Sequence, residues 1–137
     1  MKPLQSRLEH QEESFDRVRD VLTGFQFNIG GNWDYEHGYF DRSLDEAHKV
    51  FLRIPFQATR GVIDAESAQT GARVELGQPF VLKHVYNEGL DPEAEVEVMG
   101  GLVDQFSAPL DPDAEVEQKW VTQASQLLEQ VEAEFLQ

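Results

Sequence analysis

Residues 48–59 alternate between apolar and mixed positions for longer than any other stretch of this chain. Val50, Leu52, Ile54, Phe56 and Ala58 fall on one side, and Lys49, Phe51, Arg53, Pro55 and Gln57 on the other. A period of two is the mark of a β-strand with one face to bury. Pro55 has no N–H to give to a ladder, so the strand is expected at a sheet edge or broken at that residue. A strand with one apolar face needs a cover, and the sequence on either side offers two.

The first cover is a helix predicted over Ser14–Thr23. Ser14 can accept from a free backbone N–H of the first turn. Asp16 sits where the helix dipole favours negative charge. Phe15, Val18 and Leu22 recur at helical spacing, and Gly24 offers a left-handed residue to end the helix. The second cover lies at the C-terminal end. Val116, Trp120, Ala124, Leu127, Leu128, Val131 and Phe135 hold one face of an amphipathic helix of about 24 residues, about 36 Å long.

Between the helices the chain reads as strands. Phe25, Phe27 and Ile29 alternate, and Gly30-Gly31-Asn32 is a turn signal. Trp33–Phe40 reads as a second strand with a bend or bulge at His37-Gly38, and Arg42–Glu46 as a turn. Asp64–Ala72 reads as an exposed loop. Val74 and Leu76 suggest a short strand, broken by Gly77-Gln78-Pro79. Phe80–Tyr86 is apolar on both sides, as expected of a central strand or one that meets a partner. Gly101–Ala108 reads as a last strand. A helix, a run of strands and a long helix make an α+β fold, with a mostly antiparallel sheet flanked by the two helices. One domain over residues 1–137 is expected from the length.

Leu90–Glu97 and Leu110–Glu117 match at seven of eight positions, each with Asp then Pro at a candidate helix start. The second copy is expected to open the long helix. Two copies are a shared start device and not a repeat array.

Charge narrows the function classes. There are 26 Asp+Glu against 11 Lys+Arg, a net charge of −15. Such a surface repels nucleic acid and anionic membranes, and neither is expected as a partner. The excess is polarised. Residues 1–60 carry 10 acids and 8 bases, whereas residues 61–137 carry 16 acids and 3 bases. Glu88–Glu117 holds ten acids and no Lys or Arg. Such a run could attract a basic protein or a divalent cation, but it lacks the alternating ligands and glycine turn of a calcium loop. Its plain reading is a solvated rim with acids at helix starts.

There are no cysteines, which rules out disulfides, thiolate zinc sites and a cysteine nucleophile. No secretory signal opens the sequence, and no stretch approaches the ~20 apolar residues of a membrane helix. A cytoplasmic location is expected.

No catalytic or cofactor motif stands out. His10, His37, His48 and His84 lack the spacing of a zinc helix, and the glycine pairs fit no phosphate-binding fingerprint. No cofactor and no metal site are expected. The densest polar and aromatic cluster is Asn32–Tyr39. In a strand it turns Asp34 and Glu36 to one side and Trp33, Tyr35, His37 and Tyr39 to the other. Paired carboxylates can act as acid and base; the plain alternative is a half-wet strand with packed aromatics. With Arg53, Lys83 and His84 placed on the same sheet, the candidate ligand-binding set is Trp33, Asp34, Glu36, His37, Arg53, Lys83 and His84.

Three strings carry a family resemblance: Gly31–Glu36 (GNWDYE), Phe80–Pro92 (FVLKHVYNEGLDP) and Asp104–Phe106 (DQF). Together with the helix–strands–long acidic helix layout, they resemble the YugN-like family across nearly the whole chain. The resemblance implies a small cytoplasmic protein of Bacillus-type bacteria. It brings no activity and no catalytic residues.

The expectation that follows is a non-catalytic interaction protein, foremost a homodimer, with exposed aromatic surface as its contact. The alternative is a small-ligand binder or enzyme with a site around Asp34, Glu36, His37 and His84.

Overall fold

The structure is a computed structural model that describes residues 1–30, 36–61, 63, 71–84 and 115–136. Its strands are β1 (Lys2–Pro3), β2 (Glu12–Ser14), β3 (Asn28–Ile29), β4 (His37–Ser43), β5 (Val50–Arg60), β6 (Arg73–Leu76) and β7 (Phe80–Lys83). Helix α1 spans Phe15–Gly24, and the C-terminal helix, here α2, spans Gln118–Phe135. The seven strands form one antiparallel sheet in the order β1-β7-β5-β4-β3, with β6 also paired to β5 and β2 to β6. The fold is α+β.

The alternating strand is the axis of this sheet. β4 runs along one side of β5 without a break, from His37 opposite Gln57 to Ser43 opposite Phe51. Along the other side β7 and β6 lie end to end, covering Val50–Arg53 and Phe56–Arg60. Pro55 falls in the gap between them. Its carbonyl accepts from Gly77 N at 2.8 Å, and its missing N–H faces the point where the partner strand changes. β5 is therefore central and not an edge strand; the proline is tolerated because the break lies in its neighbours. The chain crosses Pro55 on a glycine, because a Cβ at Gly77 would meet Pro55 Cγ at 2.9 Å.

Both helices lie on the side of Val50, Leu52, Ile54 and Phe56, all of which are buried. Phe15 of α1 packs on Phe40 and Phe56, with ring centroids 6.0 and 5.6 Å away, and those two rings are 5.1 Å apart. Leu127, Leu128, Val131 and Phe135 of α2 join the same core. Ser14 caps α1 as expected, accepting from Arg17 N at 3.1 Å.

Several boundaries differ from the sequence reading. The left-handed residue after α1 is Gln26 (φ 69°), not Gly24. The turn is closed by Phe27 N donating to Leu22 O, which lets Phe27 bury. Gln26 also cuts the expected strand over 25–29 down to Asn28–Ile29. β4 extends through Arg42 and Ser43, so the turn begins later, and its pairing shows no bulge at His37-Gly38. The sheet irregularity lies instead between Ala58 and Arg60.

α2 starts at Gln118, not at the Asp111-Pro112 device, which lies outside the described residues. Its N-cap Glu117 makes no capping bond. The carboxylate is engaged elsewhere, accepting from Lys83 Nζ and from Trp120 Nε1, each at 2.8 Å. Those bonds hold the Glu117 carboxyl below its usual range, the Lys83 bond more than the Trp120 bond. The strand over Gly101–Ala108, the first repeat copy and nearly all of Glu88–Glu117 also lie outside the described residues.

The N-terminal segment is a feature the periodicities missed. Leu4 and Leu8 are buried in the core. Between them Ser6 Oγ and Arg7 N donate to Glu132 Oε2 at 2.6 and 3.0 Å, fixing this segment to a buried carboxylate of α2. Arg17 ties the helices together. It pairs with Glu13, donates to the carbonyls of Glu134 and Phe135, and lies 5.4 Å over the Phe135 ring. A cation there suits the negative end of the α2 dipole.

Candidate functional site

The sheet face turned away from the helices collects most of the chemistry of the described residues. Strand alternation and register decide its members. β5 contributes Phe51, Arg53, Pro55 and Gln57; β4 contributes His37, Tyr39, Asp41 and Ser43 directly opposite them. β7 adds Phe80 opposite Arg53 and Leu82 opposite Phe51.

At the centre, Arg53 grips Asp41 with two bonds, Nε to Oδ1 at 2.7 Å and Nη2 to Oδ2 at 3.0 Å. Each side chain is 18% exposed. The guanidinium also lies 4.7 Å from the centroid of Tyr39. This fork-to-fork geometry is the strong form of an ion pair, and the aromatic face adds to it. The pair is held by strand register, because Asp41 and Arg53 are cross-strand neighbours.

His84 stands on the other side of Arg53. Its backbone N donates to Lys49 O at 2.7 Å, continuing the β7–β5 ladder by one residue. Its ring meets Phe51 edge-on, 5.1 Å between centroids at 87°. Nδ1 is buried with no hydrogen-bond partner among the described residues. Burial, and next the Arg53 charge, hold the imidazole below its ordinary pKa, while Asp41 opposes them. The ring is therefore neutral at neutral pH.

Among the described residues a shallow groove lies on either side of the pair. One, of about 230 Å³, is lined by His10, His37, Tyr39, Pro55, Gln57 and Glu75 among others. In it His10 Nδ1 lies 3.5 Å from Glu75. The other, of about 430 Å³, lies at the β4–β5 turn.

The structure separates the candidate residues named from sequence. Arg53 and His84 come together with Asp41, which the sequence reading had placed in no site. His37 sits far from them. It pairs with Gln57 on one side of β5, whereas His84 meets Lys49 on the other. From position 57 to position 49 is eight residues, about 27 Å at ~3.4 Å per residue. Lys83 points to the helix side, opposite Val50, and bonds Glu117. Lys83 and His84 are neighbours in sequence and lie on opposite faces. Glu36 is exposed and its carbonyl accepts from Ala58 N. Trp33 and Asp34 lie outside the described residues. Among the described residues no group of His, Asp or Glu is placed to hold a metal ion, and no helix is long and apolar enough to cross a membrane.

The sequence profile of the YugN-like family matches residues 3–135. The chain belongs to the YugN-like family. A relative described as the uncharacterized protein YugN of Bacillus subtilis (strain 168) is 33% identical over 133 residues, covering 96% of each chain. The fold resembles the crystal structure of an uncharacterized conserved protein YugN from Geobacillus kaustophilus HTA426. That match has a TM-score of 0.68 at 23% identity and covers 98% of this chain and 94% of that one. The family membership expected from the three strings is borne out. These YugN relatives are described as uncharacterised and supply no residue roles.

Proposed function

We propose that this YugN-like chain is a non-catalytic interaction protein of the cytoplasm, and that its outer sheet face is the contact through which two copies associate. The observation that carries this is the Arg53–Asp41 fork under Tyr39. The charges at the centre of the face are matched to each other and stacked on an aromatic. Around them lie Phe51, Phe80 and Tyr39, all half-buried. Aromatic surface with internally matched charge is what protein contacts use.

Net charge selects the same face. Two copies at −15 each repel everywhere except where the local charge is near zero. Here Asp41 is balanced by Arg53, and His84 is neutral. A head-to-tail contact between basic strands and the acidic half draws less support, since Lys83 already pairs with Glu117 and Arg73 with Glu12 in the same chain.

Sedimentation velocity and light scattering test the reading. The wild type is expected to run as a dimer that persists in high salt, because an apolar contact is not screened. Tyr39→Asp, which puts an unmatched charge on the face, should run as a monomer with an unchanged circular dichroism spectrum. A wild type that stays monomeric at high concentration overturns the proposal. A dimer that dissolves with salt points instead to charge pairing, or to a surface meant for a basic protein.

A further inference from the structure

The groove at the β4–β5 turn differs in charge from the rest of the molecule. It has a volume of about 430 Å³, within the range of small-molecule sites. Two acids line it, and both are engaged. Asp41 is forked by Arg53, and Asp45 Oδ1 accepts from Lys49 N at 2.9 Å and Val50 N at 3.0 Å. The cation in the groove, Arg42, has no carboxylate partner among the described residues. Its one described side-chain bond runs from Nη2 to the neutral Gln26 Oε1, at 3.3 Å. His48 lines the same space, and Phe51 gives it an apolar wall.

Backbone strain converges there as well. His10, Gln26 and His48 are the non-glycine residues with positive φ among those described, and Gln26 (69°) and His48 (55°) both line this groove. A left-handed residue other than glycine costs on the order of 1 kcal/mol, and such residues gather at binding sites. At Gln26 the conformation places a carboxamide against Arg42; at His48 it presents an imidazole beside the turn.

From this the geometry points to a binding site for a small oxyanion, a carboxylate or a phosphate, held by Arg42 with His48 as second donor. A planar guanidinium forks either anion with two parallel bonds. In a chain of net charge −15, a guanidinium whose described side-chain partner is a neutral carboxamide is the place where an anion gains rather than loses. Phe51 favours an anion with an apolar body. Phe51 is shared with the proposed contact but Arg42, Gln26 and His48 are not, so the anion titration reads the site whether or not two copies associate, and the two readings fail separately.

The test is a two-dimensional amide NMR titration of the full chain with sodium benzoate, inorganic phosphate and neutral benzamide. Saturable shifts at Gln26–Gly30 and Asp41–His48 are expected with an anion and not with benzamide. Benzoate binding above phosphate assigns an organic acid; phosphate above benzoate assigns a phosphate and removes the role of Phe51. Arg42→Gln should weaken binding by ~10-fold or more, as loss of a charged bond implies. Arg60→Gln, an exposed arginine at the far end of β5, should leave it unchanged. Arg42→Gln must keep the wild-type urea midpoint; if it does not, Arg42→Lys serves in its place, keeping the charge while losing the fork. No saturable shift with either anion, shifts shared by benzamide, or undiminished binding by a folded Arg42 variant would each overturn the assignment.

Discussion

The two faces of the sheet are built on opposite principles. The face under the helices is apolar and close-packed, with Phe15, Phe40 and Phe56 in mutual contact and Val50, Leu52 and Ile54 beside them. Its energy comes from area removed from water, and it tolerates any well-packed set of apolar side chains. The outer face is ordered by specific pairs: Arg53 with Asp41, Arg53 with Tyr39, and His84 with Phe51. Half-buried charged pairs add little net stability over apolar substitutes but are costly to break one partner at a time. Stability resides in one face and specificity in the other, as expected if the second face exists to be recognised.

This contrast can be broken by mutation. The largest effect is expected at the core triad: Phe56→Ala should lower unfolding free energy by about 3–5 kcal/mol in urea denaturation. A loss under about 1 kcal/mol would show that the helix-side face is not the stabilising one. On the outer face Arg53→Met should cost about 1–3 kcal/mol, because it strands Asp41 half-buried. The double variant Arg53→Met/Asp41→Leu should recover most of that loss, and a double-mutant cycle reads the coupling directly. Strictly additive losses would remove the claim that the pair acts as a unit. A smaller effect, about 1 kcal/mol, is expected for Ser14→Ala, which frees the Arg17 N–H at the start of α1.

The smallest effect is a pH dependence. The folded His84 pKa lies below its unfolded value of about 6.5. Between the two values the unfolded chain binds more protons, so stability rises with pH through that window and falls as pH drops below ~6.5. The urea midpoint of His84→Phe should lack that contribution. An unchanged pH profile would mean that the ring does not sense Arg53 and its burial.

Much of the fold was legible because period-two and period-3.6 patterns report which face is buried. The alternation over 50–58 gave β5 and its core face, Ser14 gave the helix cap, and two-sided apolarity gave β7 its place between β1 and β5. Boundaries set by tertiary contacts were not legible. The position of Pro55 looks like an edge signal until the junction of β6 and β7 beside it is known. Glu117 looks like an N-terminal acid until Lys83 and Trp120 are seen to hold it. The N-terminal segment carries no period; its course is set by pairing with β7 and β6, by Leu4 and Leu8 in the core and by the buried Glu132.

The candidate site was less legible for a related reason. Asp41 and Arg53 lie twelve residues apart, and only register makes them partners. Lys83 and His84 look like one patch in sequence, and pleating puts them on opposite sides. Arg42 and Gln26 meet across the space between β4 and the end of α1, and no local pattern links them. Charge polarity between the halves was visible from the start, but pairing within the chain matches several of the basic residues, and that decides which surface is near neutral.

The most direct test of the account is whether a second copy touches the outer face. In a sample mixing isotope-labelled and unlabelled chains, isotope-filtered NMR reports contacts between copies alone. Intermolecular signals are expected from the Tyr39, Phe51 and Phe80 rings, and those of Phe51 and Phe80 should be lost in Tyr39→Asp. Intermolecular signals confined to α1 and α2, or none from a sample that sediments as a monomer, would contradict the account.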